Sequence, residues 1–462
     1  MANKSKKYND MTVGPVWKCI VSFALPIMLG QLLQQLYSTV DGIVVGNYIS
    51  SGALAAVGSC GTITFVFIAF CGGMANGSGV VISQFFGAGR KEEMRSTAAN
   101  ILLLLVGLAV VMTVIGTGFA GFITAKVLGI REEAIQQQAE TYLRIYSIGL
   151  IFTFIYNAVA AILRGVGDSK AVLYFLLVST VMNTILDVIF VSALKMGVAG
   201  AAWATVISQV ACTAVSLFYM FRFYPDFRFT SVKELRYDRE KMRLCLKLGI
   251  PTTLQQLIVS CGHLVLQRLV NSFGEVTMAA TTVGARFEHY CAIPTMGVMQ
   301  GMTSFTGQNV GAGKMDRVKQ GLKVSIILNV GSIVVLSAIL FTFAAPLGRL
   351  FGVKDEALNQ TVQYMHWLSA AYPIFAFYVP MNGLYQGSGD PLAAAVVSLV
   401  ALAARVSAAY IMAYVFDGGY SSCWKTYIIG WTLALIVAVV YYYKGNWRKK
   451  AVVSKKAAEA ET

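Results

Sequence analysis

The sequence predicts an all-α polytopic membrane protein: twelve transmembrane helices in two six-helix bundles, related by a pseudo-two-fold axis along the membrane normal. Three observations carry this. First, 56% of the 462 residues are hydrophobic and only 13% charged, whereas ordinary soluble domains use about 25% charged residues. Second, runs such as 101–121, 171–194, 323–347 and 424–443 are nearly free of charge. They reach the length of about 20 residues that a helix needs to cross a bilayer, and a backbone in lipid must close its own hydrogen bonds. Third, the chain repeats itself. Ala24-Leu25-Pro26 returns as Gly249-Ile250-Pro251, and Gln84 to Arg90, ending Gly-Ala-Gly-Arg, returns as Gln308 to Lys314. Leu128-Gly129-Ile130 returns as Phe351-Gly352-Val353, and Gly165-Val166-Gly167-Asp168 as Gly387-Ser388-Gly389-Asp390. The offset drifts only from 225 to 222. With six spans per copy, both copies enter the membrane from the same side, which makes the repeat parallel.

The spans follow in order. The first, 17–45, contains Pro26 and a polar stripe of Gln31, Gln34, Ser38 and Asp41 spaced by three and four residues, hence on one helix face. The second, 52–84, ends in the first Gly-Ala-Gly-Arg turn. The third, 97–125, is aliphatic up to the Leu-Gly-Ile turn. The fourth, 138–163, carries Tyr156 and Asn157 and stops before Gly165. The fifth, 170–194, places Asn183 and Asp187 four residues apart, and the sixth, 198–222, opens on a small-residue run leading to Thr205. A basic, proline-containing segment, 224–243, links the copies. The second copy gives spans 245–273, with Pro251 and a stripe of Gln256, Ser260, His263 and Gln267, then 277–307, 322–347, 358–386, 391–416 and 424–443. The expected domains are therefore an N-terminal lobe 1–223, a linker 224–243, a C-terminal lobe 244–443 and a basic tail 444–462. Several spans exceed the crossing length, so tilting or emergence from the lipid is expected. Proline inside the first and seventh (Pro26 and Pro251) removes a ladder hydrogen bond and favours a kink, which reads either as a static bend or as a hinge.

Charge sets the orientation. Eight Lys or Arg lie between Arg222 and Lys247, and others cluster at 314–323 and beyond 444. By the positive-inside rule both termini are cytoplasmic and the chain is a multi-pass protein of the plasma membrane, with lipids as neighbours. The net charge of +15 follows from this topology and implies no nucleic acid. The first apolar segment is too long for a signal-peptide core. The eight cysteines have no metal-ligand or redox spacing and read as small buried hydrophobes.

Ionisable side chains at membrane depth cost about 2.5–3.5 kcal/mol each on insertion scales, so each is a candidate for function. Asp41 and Asp187 fall at similar depth in the outer half, with amide neighbours, and together make a cation or proton site. The second copy does not reproduce them: Asp41 corresponds to Leu266, Asn183 to Arg405 and Asp187 to Ala409. It carries Arg286, Glu288 and Arg405 instead, and Glu288 is expected to pair with Arg405 or Arg286, as structural support or as a substrate contact. Of the three histidines, His263 is the one placed in a polar stripe.

Pro26 with Gln31, Gln35 and Asp41, then Gly46 and Ala55 to Gly58, resembles the first helix and following turn of the multidrug and toxic compound extrusion (MATE) transporters. The duplicated Gly-Ala-Gly turns, Arg164 to Asp168 and Gly197 to Thr205 resemble that family too, and the likeness spans nearly the whole chain. It implies two six-helix bundles enclosing a V-shaped cavity, and efflux of amphiphilic organic cations in exchange for H⁺ or Na⁺. It implies no cofactor and no enzymatic activity, and the protein is expected to work as a monomer. Asp41 matches the family's first-helix acid, Asn183 and Asp187 its fifth-helix pair, Thr205 a sixth-helix hydroxyl, and Asn157 a further member of the cation-coupling site. Asp41, Asn183 and Asp187 would hold the ion directly if it is Na⁺. Val259 stands where some members carry a glutamate, so the pattern resembles the DinF-like branch more than the NorM-like one. The substrate cavity is expected to include Gln34, Tyr37, Tyr156, His263, Arg286, Glu288 and Arg405, with Phe65, Tyr290 and Tyr378 as further aromatic contacts for organic cations. A lipid or lipid-linked oligosaccharide flippase is the alternative, and would call for a cavity rich in arginine.

Overall fold

The computed structural model describes residues 8–48, 51–229 and 235–453; of residues 36–48, 51 and 54 it describes the backbone alone. Twelve long helices account for most of these residues. They are α1 (Val16–Tyr48), α2 (Ser51–Gly87), α3 (Lys91–Gly118), α4 (Glu133–Gly165), α5 (Ser169–Asp187) and α6 (Gly197–Phe223) in the first copy. The second holds α7 (Arg239–Asn271), α8 (Glu275–Gly311), α9 (Met315–Thr342), α10 (Asp355–Ser388), α11 (Pro391–Tyr414) and α12 (Ser422–Lys444). Ten of these regions are long and apolar enough to cross a membrane. The other two, α8 and α10, are long but diluted by residues such as Arg286, Glu288, Gln360 and His366. Polar helices are tolerated at membrane depth where neighbours shield them. α10 has that shielding, with Tyr364, Leu368, Tyr372 and Tyr385 all buried.

Each copy is organised around its fourth helix. α4 packs against α2, α3 and α6, and α10 packs against α8, α9 and α12; α5 lies on α6 as α11 lies on α12. The duplicated motifs are the turns that aim these helices. In each, one glycine takes a left-handed backbone: Gly89 and Gly313 (φ 73° and 71°), Gly129 and Gly352 (66° and 78°), Gly167 and Gly389 (87° and 93°). That region is open to glycine at no steric cost. The helix-ending hydrogen bonds match as well: Arg90 N to Phe85 O at 3.0 Å has its counterpart in Lys314 N to Asn309 O at 2.8 Å. A further pair of turns escapes motif comparison because its residues differ. Lys195 and Gly197 have φ 52° and 61°, and Asp417 and Gly419, 222 positions later, have 49° and 60°.

After the third turn, an aspartate receives tyrosine hydroxyls in both copies. Asp168 caps α5 by accepting from Ala171 N at 3.1 Å, and its other oxygen accepts from Tyr219 at 3.0 Å and Tyr224 at 2.6 Å. Asp390 accepts from Tyr441. Burial, with Asp168 alongside, pushes the Tyr224 phenol well above its usual range, so it remains a donor.

Packing divides the chain differently from the repeat. One compact unit holds Met1–Asp10 and Leu29–Thr253, the other Met11–Met28 and Leu254–Thr462. The expected lobes begin with whole first helices; in the packed units the N-terminal parts of α1 and α7 are exchanged. Glycines make room for them. A Cβ on Gly77 would overlap the Leu248 backbone of α7, and one on Gly297 would come within 2.5 Å of the Met28 side chain of α1. Each exchange ends just past the helix's own proline, Pro26 before Met28 and Pro251 before Thr253. The segment before α1 is fixed to the second unit: Met11 N donates to Gln308 Oε1 at 2.9 Å, and Arg317 donates to the Gly14, Met11 and Val13 carbonyls at 2.9–3.2 Å.

Seven of the eight cysteines are buried, as their spacing led us to expect, and Cys261 is exposed. Cys423, one residue before the expected start of the last span at 424, lies buried in the first turn of α12.

Candidate functional site

In the first unit, α5 and α6 bring Asn183, Asp187 and Thr205 together. Asn183 and Asp187 are each 1% exposed, and their four-residue spacing stacks them on one face of α5. The Asn183 amide is oriented by its neighbours. With its oxygen and nitrogen assigned so that both are satisfied, it donates through nitrogen to Asp187 Oδ2 at 2.6 Å and accepts through oxygen from Thr205 N at 3.2 Å. Asp187 is also the last α-helical residue before a π-helical turn, Val188–Ala193; such turns recur at functional sites. A buried carboxylate with a hydroxyl beside it is a place where a small cation or a proton can reside. Asn157 does not join this cluster; its amide donates to Thr153 O, one turn back on α4, at 2.8 Å. Tyr156 is buried within the unit. Asp41 and Tyr37 lie on the α1 backbone but outside the described side chains. Gln34 is exposed.

The second unit answers differently at the same positions. Offset by 222, Asn183 becomes Arg405, Asp187 becomes Ala409 and Thr205 becomes Tyr427. The Arg405 guanidinium lies over the Tyr427 ring, 3.4 Å from its centroid, so the contact between the two helices is kept while its chemistry changes. The expected pairing of Glu288 with an arginine is not what forms. Glu288 Oε2 instead accepts hydroxyls from Tyr427 at 2.6 Å and Tyr364 at 2.7 Å. Tyr372 donates to the Glu288 carbonyl at 2.8 Å. Among the described residues neither Arg286 nor Arg405 comes within the 4.0 Å of an ion pair. The reason is steric: the phenols of α10 and α12 occupy the carboxylate, and Tyr427 stands between it and Arg405. Arg286 is exposed and reaches over the Phe351 ring at 5.6 Å. His263 is exposed on α7. Tyr378 is buried against Phe375, whereas Phe65 is 48% exposed.

Tyr364, Tyr372 and Tyr427 were not singled out from the sequence. Tyrosine in an apolar span carries no charge to draw notice. Carrying Thr205 forward by the repeat offset would have pointed to Tyr427.

The MatE family model matches residues 26–189 and again 251–411. Its two matches reproduce the internal duplication and cover well over half of the chain. The chain belongs to the MATE family. A relative described as "Probable multidrug resistance protein YpnP" from Bacillus subtilis (strain 168) is 30% identical over 460 residues, covering 97% of this chain and 100% of the relative. "Multidrug export protein MepA" from Staphylococcus aureus (strain NCTC 8325 / PS 47) is 23% identical, covering 93% and 94%. Among solved structures, an outward-facing multidrug resistance MATE transporter superposes with a TM-score of 0.89 at 25% identity, covering 97% of this chain and 100% of that one. The same score and coverage hold for a transporter from Pyrococcus furiosus. As a MATE protein, the chain is a multi-pass membrane transporter of the multidrug efflux family.

Proposed function

We propose that this MATE protein exports amphiphilic organic cations from the cytoplasm in exchange for H⁺ or Na⁺, by alternating access. The observation that carries the reading is Asp187: a carboxylate 1% exposed, hydrogen-bonded to Asn183 and next to a π turn. A buried carboxylate is destabilised by desolvation, and a small cation that neutralises it relieves that cost. Asp41, on the first helix of the repeat, is the second acid of this site, with Thr205 as a supporting group; if the ion is Na⁺, Asp41, Asn183 and Asp187 are its ligands. Ion entry rearranges the Asn183 bonds, and α1 carries the change through Pro26, the residue near which its packing passes from one unit to the other. Pro251 plays the matching part in α7.

The protein sits in the plasma membrane with both termini in the cytoplasm, where the basic linker and tail lie, and it works as a monomer. Val259, where some members carry a glutamate, supports a likeness to the DinF-like branch. A flippase is the weaker reading, because the arginines of the second unit do not form one cluster: Arg286 is against Phe351 and Arg405 against Tyr427. The test is efflux of a cationic dye from vesicles under separately imposed proton and sodium gradients. Efflux driven by one gradient and lost in Asp41→Asn is expected; efflux indifferent to both gradients would remove the antiport.

A further inference from the structure

Where α9 gives way to α10, the corner of the second unit contains a cavity of about 620 Å³, a size that suits a small ligand. Arg349, Glu356, Asn359, Gln363 and Tyr420 line its polar side, and Leu358 and Val362 its apolar side. Arg349 and Glu356 share this cavity without pairing: they do not come within the 4.0 Å of an ion pair. Among the described residues the Arg349 guanidinium has no hydrogen-bond partner. Glu356 accepts only from the Asn359 and Gln360 amides, each at a long 3.4 Å. The chain beside the cavity is apolar and outward-facing: Phe343 is 52% exposed, Leu350 78% and Phe416 73%. On a membrane protein such a surface meets acyl chains. The first copy builds this corner differently. By the repeat offset of 223 its residues are Lys126, Glu133, Gln136 and Glu140, and Glu140 is already paired with Arg144 at 2.7 Å. Asp355, just before Glu356, has φ 49°, whereas its counterpart Glu132 has φ −79°. A left-handed aspartate carries strain, which the surrounding structure must hold in place.

We infer that this corner is a binding site for the headgroup of a phospholipid that carries a primary amine. The phosphate accepts from the Arg349 guanidinium and the ammonium donates to the Glu356 carboxylate, both charge-assisted hydrogen bonds. The Asn359 and Gln363 amides are donors of the kind that ester carbonyls accept from. The acyl chains then run over the exposed Leu350 and Phe343. One base and one acid with no bond between them match a headgroup of both signs better than an anionic one, which would leave Glu356 facing a phosphate. The apolar flank favours a lipid over a soluble molecule of the same chemistry, because only a lipid covers it. The inference adds a lipid partner to the export reading and does not depend on the coupling ion or the cargo.

Native mass spectrometry of the purified full-length protein in detergent tests this, with phosphatidylethanolamine, phosphatidylglycerol and phosphatidylcholine of identical chains supplied in equal amounts. Phosphatidylglycerol has no amine, and the quaternary amine of phosphatidylcholine has no N–H to donate. Phosphatidylethanolamine should bind about tenfold more tightly than either, the scale of one charged hydrogen bond. Glu356→Gln should level it with phosphatidylglycerol, and Arg349→Gln should weaken all three. Glu133→Gln, the matching change in the first copy, should leave the preference intact. Equal binding of the three lipids to the unaltered protein, or a preference that survives Glu356→Gln, would overturn the site. Excess glycerophosphoethanolamine, the same headgroup without chains, should not displace the lipid; displacement would overturn the lipid assignment in favour of a soluble amine-phosphate. The unaltered protein decides the matter even if a variant fails to fold. Loss of coupling in the vesicle assay would refute the antiport and leave this binding result standing.

Discussion

Asn183 is the residue on which the first-unit site turns. Its amide holds Asp187 on one side and the Thr205 backbone on the other, so it orients a buried acid that a wrong partner would leave stranded. Asn183→Leu should therefore lower stability by about 1–3 kcal/mol, the usual cost of stripping a donor from a buried polar group. A thermal melt of the purified protein would read this, and an unchanged melting temperature would mean that the bond is not made. Asp187→Asn has a different signature: it keeps an amide in place of the acid, so the fold should persist while gradient-driven efflux falls at least about tenfold, as expected when a coupling group can no longer change charge. Full efflux in that variant would disqualify Asp187 as a coupling group. In the second unit, Tyr427→Phe removes one of the two hydroxyls on Glu288 but leaves the ring under Arg405. The expected outcome is a modest loss of stability, about 1 kcal/mol, read as a lower melting temperature.

Among the elements, the N-terminal parts of α1 and α7 matter most, because they are held by close backbone approach. Gly77 faces the Leu248 carbonyl and Gly297 faces Met28 with no space for a side chain. Gly77→Leu should therefore expel or distort the N-terminal part of α7, an overpacking of about 1–3 kcal/mol or more. Folded protein recovered after detergent extraction should fall sharply. The same substitution at Gly58, where nothing lies within 4 Å of a Cβ, should be tolerated; equal losses at both sites would show that close approach is not what Gly77 provides.

For the whole molecule, the exchange of helix halves sets what can fold alone. Residues 11–28 pack with the second unit and 239–253 with the first, so a chain cut in the 224–243 linker leaves each part without a helix segment that its core requires. The two parts expressed singly should fail to give stable protein, and co-expression should restore it. Stable, monodisperse halves on their own would contradict this packing.

Much of this architecture is legible in the linear chain. Apolar runs long enough to span a bilayer, with few charges between them, leave helices as the only way to satisfy the backbone. The drift of the offset from 225 to 222 reveals the duplication, and the repeated glycines proved to be left-handed turns at matching positions. The pairing of Asn183 with Asp187 follows from a spacing of four on one helix. The partners of Glu288 could not be read this way. Tyr364, Tyr372 and Tyr427 come from two other helices, and choosing a phenol over an arginine depends on which side chain reaches the carboxylate first. Nor could a linear pattern reveal that two first helices trade their N-terminal parts, since that depends on which glycines face which backbones. Periodicity and hydropathy act within one helix, and so the sequence alone determined the helices, their duplication and the sites of their turns. Only the tertiary structure decided which charges meet, because that depends on contacts between helices far apart in the chain.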